Sequence, residues 1–182
     1  WWVPADPGGV PHQVADLPFA ISGMWKAQVD GDGVADLVVW ADSQVILLRG
    51  REEGGYGWGA AWSAGDHDIT GVAAADIDGD RLADLVIASS TDDKSVVEIL
   101  LGDGAWQFDA LNPLELSYPL DSITASDDGR DGEPDITLLS GDSGTLRRYT
   151  YSNDKWIGGS PPEITAYKAD PGSTLLGALD LN

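Results

Sequence analysis

The chain has 182 residues, 42% of them hydrophobic, and its 31 Asp and Glu against 10 Lys and Arg give a formal charge of −21. That balance disfavours nucleic acid and anionic membrane surfaces as partners. Cysteine is absent, which excludes thiolate catalysis and zinc–thiolate sites, and no apolar run approaches the roughly 20 residues of a membrane span, so no membrane insertion is expected.

In chain order, the opening "WWVPADPGG" carries no initiator Met and reads as a processed protein or a segment of a longer chain. Residues 1–27 read as the end of a preceding repeat. The first clear unit begins at "AQVDGDGVADLVVW" (27–40), an acidic turn running into an apolar strand. A short turn, "ADSQ", leads to a second strand, "VILLRG" (45–50), so the two form a hairpin candidate. The pattern returns without a gap in "ADIDGDRLADLVIA" (75–88), followed by "VVEILLG" (96–102). It returns again, more weakly, in "SDDGRDGEPDITLL" (126–139) and "TLRRYTY" (145–151). "ALDLN" (178–182) reads as the opening of a fourth copy. The loops begin at 28, 76, 127 and 180, at intervals of 48, 51 and 53 residues.

This period divides a single repeat domain over 1–182 into repeat 1 (28–75), repeat 2 (76–126), repeat 3 (127–179) and the start of a truncated repeat 4 (180–182). "GGSPPE" (158–163) reads as a loop inside a unit. No stretch sustains a helical apolar period, so the fold class expected is all-β. Units of about 50 residues with about four short antiparallel strands match the blade of a β-propeller; a solenoid of sheets is the alternative. Trp58, Trp106 and Trp156 follow Asp36, Asp84 and Asp135 by 22, 22 and 21 residues. They are expected to pack between neighbouring units, with exposed platforms for sugar rings as the other reading.

The acidic loops carry the chemistry. Numbered from its first residue, the second loop holds Asp76, Asp78, Asp80 and Asp84 at positions 1, 3, 5 and 9, and the carbonyl of Leu82 at position 7. Hard oxygen donors without nitrogen or sulfur select calcium, whose flexible shell suits a loop better than the strict octahedron of magnesium. An EF-hand is excluded, because position 12 is Ile87, inside a strand. The spacing D-x-D-x-D-x-x-x-D running into a strand resembles the FG-GAP/VCBS repeat family, the calcium-loop repeats of integrin α-subunit propellers and many bacterial surface proteins. "LLRGREEGGYGW" and "LLGDGAWQF" are similar to that family's G-x-G-x-F ending.

The resemblance implies FG-GAP/VCBS-type propeller blades, about three and a half of them here, forming part of a larger ring that needs about seven blades and roughly 350 residues. It implies structural calcium at up to three loops, the loop at 76–84 foremost. The first loop offers Gln28, Asp30, Asp32, the Val34 carbonyl and Asp36; the third offers Asp127, Asp131, the Glu133 carbonyl and Asp135, with Gly129 at position 3 and Asp128 as a substitute. Acidic turns holding backbone N–H groups without metal are the alternative for each loop. Calcium modules outside the cell bind at about 0.1–1 mM, which implies a calcium-rich medium, and the resemblance implies an extracellular or cell-surface protein, secreted and of bacterial type.

No catalytic constellation stands out. His67, within "GDHD", is flanked by aspartates that an extended chain turns to the opposite face, and His12 follows a turn. "GDGAW" (102–106) is glycine-rich but precedes no helix, which removes a phosphate loop. The function expected is a non-enzymatic calcium-binding repeat module for adhesion or for binding a protein or glycan ligand. The alternatives are the non-catalytic propeller portion of a secreted polysaccharide-acting enzyme and a structural subunit of a surface filament or toxin shell. Self-association, or the remainder of a larger chain, would complete the propeller.

Overall fold

Each pair of apolar runs becomes a hairpin, and the strand that precedes each acidic loop joins the same sheet. The computed structural model describes residues 17, 20–127, 133–140, 144–153 and 155–158; the proposed start of a fourth repeat, Trp1, Trp2 and His12 lie outside them. The described residues form three antiparallel sheets and contain no helix. In the first sheet β1 (Gly23–Ala27), β2 (Asp36–Ala41), β3 (Gln44–Gly50) and β4 (Tyr56–Ser63) lie side by side in that order. The second runs β5 (Asp68–Ala75), β6 (Asp84–Ser90), β7 (Ser95–Gly102) and β8 (Phe108–Ala110), with β9 (Leu114–Leu116) also on β7. The third runs β10 (Ser122–Ser126), β11 (Asp135–Ser140), β12 (Thr145–Ser152) and β13 (Lys155–Gly158). These are propeller-like blades, and the sheets do not close into a ring. Each sheet starts one strand before its acidic loop, so the structural unit is offset from the sequence repeat by that strand.

β8 and β9 share one edge of β7: β8 covers Leu100–Gly102 and β9 covers Ser95–Val97. They are one fourth strand broken at Asn112 and Pro113, where proline has no N–H to give the ladder. The Leu111 N–H still reaches the Ile99 carbonyl at 2.9 Å, keeping the break in place.

The core lies between blades. Successive residues of a strand point to opposite faces, so β2 sends Val38 toward the second blade while Leu37 and Val39 face away from it. Val38, Val45 and Leu47 meet Leu85, Ile87 and Leu100 in one cluster. Val86, Val97 and Ile99, on the other face of the second blade, meet Ile136, Leu138, Tyr149 and Tyr151 of the third. The first strands β1, β5 and β10 run alongside one another. Gly71 of β5 permits this: a Cβ there would lie 2.9 Å from Cγ2 of Ile123.

Two of the three periodic tryptophans join blade to blade. The ring of Trp106 lies over Gly59 of β4, where no Cβ could fit. Trp156 stacks edge-on against Tyr149 and Tyr151, and its indole N–H donates to the Asn112 carbonyl of the second blade at 2.9 Å. Trp58 departs from the expected packing and is 67% exposed. Its relatives each reach back onto the blade before, and among the described residues no blade precedes the first.

Candidate metal centre

All three loops link the first and second strands of a blade, so they share one end of the sheets. The turns are built by the aspartates themselves. In the second loop Asp76 accepts the N–H of Gly79 at 2.8 Å and of Arg81 at 2.9 Å. Asp78 accepts from Asp80 at 3.1 Å, and Asp80 from Leu82 at 2.7 Å. Short acidic side chains bonding to backbone a few residues ahead are what favour Asp in such turns. Gly79 and Arg81 both take positive φ, 85° and 73°.

Asp84 does something else. It is fully buried at the start of β6, and its two oxygens accept the N–H of Ile77 at 2.7 Å and of Gly102 at 2.8 Å. One carboxylate thus ties the head of the loop to the end of β7. Asp36 repeats this in the first blade, holding Val29 at 2.8 Å and Gly50 at 2.9 Å. The glycines closing "LLRG" and "LLG" are explained by this clamp. A Cβ on Gly50 would strike the Ala35 carbonyl, and one on Gly102 would lie 3.0 Å from that of Ala83. Burial pushes the Asp84 carboxyl up to about 6, against the two N–H groups, and Asp78 and Asp80 add repulsion. Burial likewise raises Asp36.

The second loop gathers charge without an internal partner. One oxygen from each of Asp76, Asp78 and Asp84 lies within 4.8 Å of the others. Asp80 is outside that trio, on the exposed side, and Leu82 turns its side chain against Gly31 of the first loop and Gly104. Among the described residues no Lys, Arg or His forms an ion pair with the three clustered aspartates. Like charges this close repel unless a cation sits among them. The donor set is all oxygen, which fits a hard divalent cation such as calcium.

The first loop is satisfied differently. Arg49, on β3 directly across the hairpin from Asp36, places Nε 2.9 Å from Asp30 and Nη2 3.3 Å from Asp32. The Gln28 amide, oriented as its neighbours require, donates to the Val34 carbonyl at 2.7 Å and accepts the N–H of Asp32 at 3.0 Å and that of Gly33. The N–H of Val34, foremost, and Arg49 hold the Asp32 carboxyl below the usual range.

In the third loop Asp131 lies outside the described residues, as do Asp128 and Gly129. Asp127 is exposed, Glu133 accepts from the Ser152 hydroxyl at 3.1 Å, and Asp135 is buried. Asp135 accepts the Thr150 hydroxyl at 3.0 Å and faces Arg148 at 3.4 Å. Neither arginine was assigned a part by the loop spacing alone. Their signal lies in the hairpin register: Arg49 stands opposite Asp36, and Arg148 opposite Thr137. At the matching places β7 carries Leu101 and Ile99.

Beside the second loop, a cleft of about 320 Å³ opens between the second and third blades. Ile77, Leu101, Leu111 and Tyr151 form its apolar part, with Asp78 and Glu133 among its polar lining. His67 sits in the turn before β5, its N–H on the Ala64 carbonyl at 3.3 Å. In the "GDGAW" turn Asp103 accepts the N–H of Ala105 at 2.7 Å and of Gln107 at 3.1 Å, so this turn spends its own donors.

Residues 28–87, which span the first two acidic loops, match the family model for the FG-GAP-like repeat. Comparison with curated proteins returns no match. Over that segment the chain is similar to the FG-GAP-like repeat, and the three repeated blades agree with that likeness.

Proposed function

We propose that the chain is an extracellular, calcium-stabilised repeat module that binds a protein or glycan ligand, without catalysing a reaction. The observation that carries the calcium reading is the trio Asp76, Asp78 and Asp84, whose oxygens converge within 4.8 Å with no basic side chain among the described residues paired to them. Asp76, Asp78 and Asp84 would hold the ion, with Asp80 and the Leu82 carbonyl as the remaining donors of the loop. When bound, calcium supplies positive charge that offsets the repulsion and pins the turn. The chain's own part is already built: Asp84 fixes the loop to β7, and Leu82 leans on the first loop and on the turn after β7. A structural ion of this kind stabilises the folded state by mass action.

The family's usual setting supports placement outside the cell, and among the described residues no helix is long and apolar enough to cross a membrane. The cleft beside the second loop offers an apolar floor with carboxylates at its rim, a surface suited to a glycan or a peptide side chain. Self-association, or a longer chain, would complete the ring of blades.

The test combines calcium calorimetry, thermal melts in EGTA and in calcium, and a glycan array with a parallel screen of surface proteins. Calcium is expected to bind in the 0.1–1 mM range, roughly, and to raise the melting temperature. Asp80→Asn is expected to remove one bound ion. Melts and ligand binding indifferent to EGTA would overturn the reading.

A further inference from the structure

The first two loops have nearly the same sequence and end in the same Asp clamp, yet their interiors differ. In the second, three carboxylates face one another across a space that no cation among the described residues enters. In the first, two nitrogen-bearing side chains meet the loop, Gln28 at the position of Asp76 and Arg49 from β3. Arg49 projects from β3 onto Asp30 and Asp32. The Asp30 side chain is only 4% exposed, and its Oδ2 is buried with no hydrogen bond, so the guanidinium at 2.9 Å is the charge it faces. Gln28 takes the place of the first carboxylate and donates to the Val34 carbonyl, the oxygen expected from the loop spacing to serve a metal.

We propose that the first loop carries its own cation: Arg49 neutralises Asp30 and Asp32, Gln28 ties up the Val34 carbonyl, and the loop folds without calcium. A guanidinium is always charged near neutral pH and offers a planar set of donors suited to two carboxylates. A calcium ion would have to displace it, and would find a neutral amide where the second loop presents Asp76. The two loops touch through Leu82, which lies against Gly31, so a metal-independent turn braces a metal-dependent one. The hairpin register supplies the control within the molecule, because Leu101 stands opposite Asp84 where Arg49 stands opposite Asp36.

This inference limits the calcium reading to fewer loops, and it is tested so that each can fail alone. Calcium is counted by calorimetry on the whole chain and its variants. Asp32→Asn is expected to leave the number of ions unchanged, Gln28→Asp to leave it unchanged, and Gln28→Asp with Arg49→Leu to raise it by one. A loss on Asp32→Asn, a gain on Gln28→Asp alone, or no gain in the double variant of a calcium-binding chain would overturn the inference. If the wild-type chain binds no calcium, the calcium reading fails and melts in EGTA decide about Arg49. There Arg49→Leu is expected to lower the melting temperature, and adding Asp30→Asn is expected to recover part of the loss. Losses that simply add would overturn the proposal.

Discussion

Asp84→Ala separates the clamp from the metal. The change removes a buried carboxylate that accepts the N–H of Ile77 at 2.7 Å and of Gly102 at 2.8 Å, and it leaves both donors without a partner inside the protein. A hydrogen bond to a charged group contributes about 1.5–3 kcal/mol, and an orphaned buried donor costs about 1–3 kcal/mol. Two such bonds give an upper bound near 6 kcal/mol. The burial that raises the Asp84 carboxyl to about 6 works against the ionised clamp, so a net loss of about 3–4 kcal/mol is expected. Asp84→Asn keeps one acceptor oxygen and turns an amide donor toward the other N–H, for a loss of about 2 kcal/mol. The assay is urea denaturation followed by tryptophan fluorescence, performed in EGTA so that metal plays no part. Asp76→Asn provides the contrast: small in EGTA, it is expected to forfeit the gain from calcium. One site filled at 10 to 100 times its Kd contributes about 1.4–2.7 kcal/mol. An Asp84→Ala chain within about 0.5 kcal/mol of wild type in EGTA would refute the clamp.

The other predictions concern the junctions between blades. Gly59→Ala brings a Cβ into the ring of Trp106, and is expected to cost about 1–3 kcal/mol and shift tryptophan emission, checked by denaturation and fluorescence. Ser95 donates to the Tyr118 carbonyl at 2.9 Å and accepts the Leu120 N–H at 2.9 Å, holding the segment between the second and third blades. Ser95→Ala is therefore expected to cost about 1–2 kcal/mol, read by urea denaturation. Burial foremost raises the Tyr118 hydroxyl to about 12. The unfolded chain loses that proton near pH 10, so between about pH 10 and 12 the folded chain holds more protons and stability falls as pH rises. Tyr118→Phe is expected to flatten that decline in denaturation curves between pH 9 and 11.5, roughly.

The repeated loops and the paired apolar runs were legible along the chain because they are local. Aspartates a few residues apart build an Asx-type turn wherever they occur, and alternation sorts a strand's two faces before any neighbour arrives. The sequence by itself therefore determined three hairpins of similar length, the acidic turn ahead of each, and the blade as the repeating unit. Tertiary structure decided which residues answer those turns. Arg49 meets Asp30 and Asp32 only because the register of β2 and β3 sets it opposite Asp36, and Leu101 occupies that place in the second blade. Asp36 and Asp84 read as ligands in the loop spacing, and folding adds a part that spacing does not show by burying them and aiming two backbone N–H groups at each. Trp58 and Trp106 share a position in the repeat, and among the described residues only Trp106 has a blade before it to cover. Spacing fixes which side chains can share a turn, whereas the charge and the burial at that turn come from strands and blades distant in the chain.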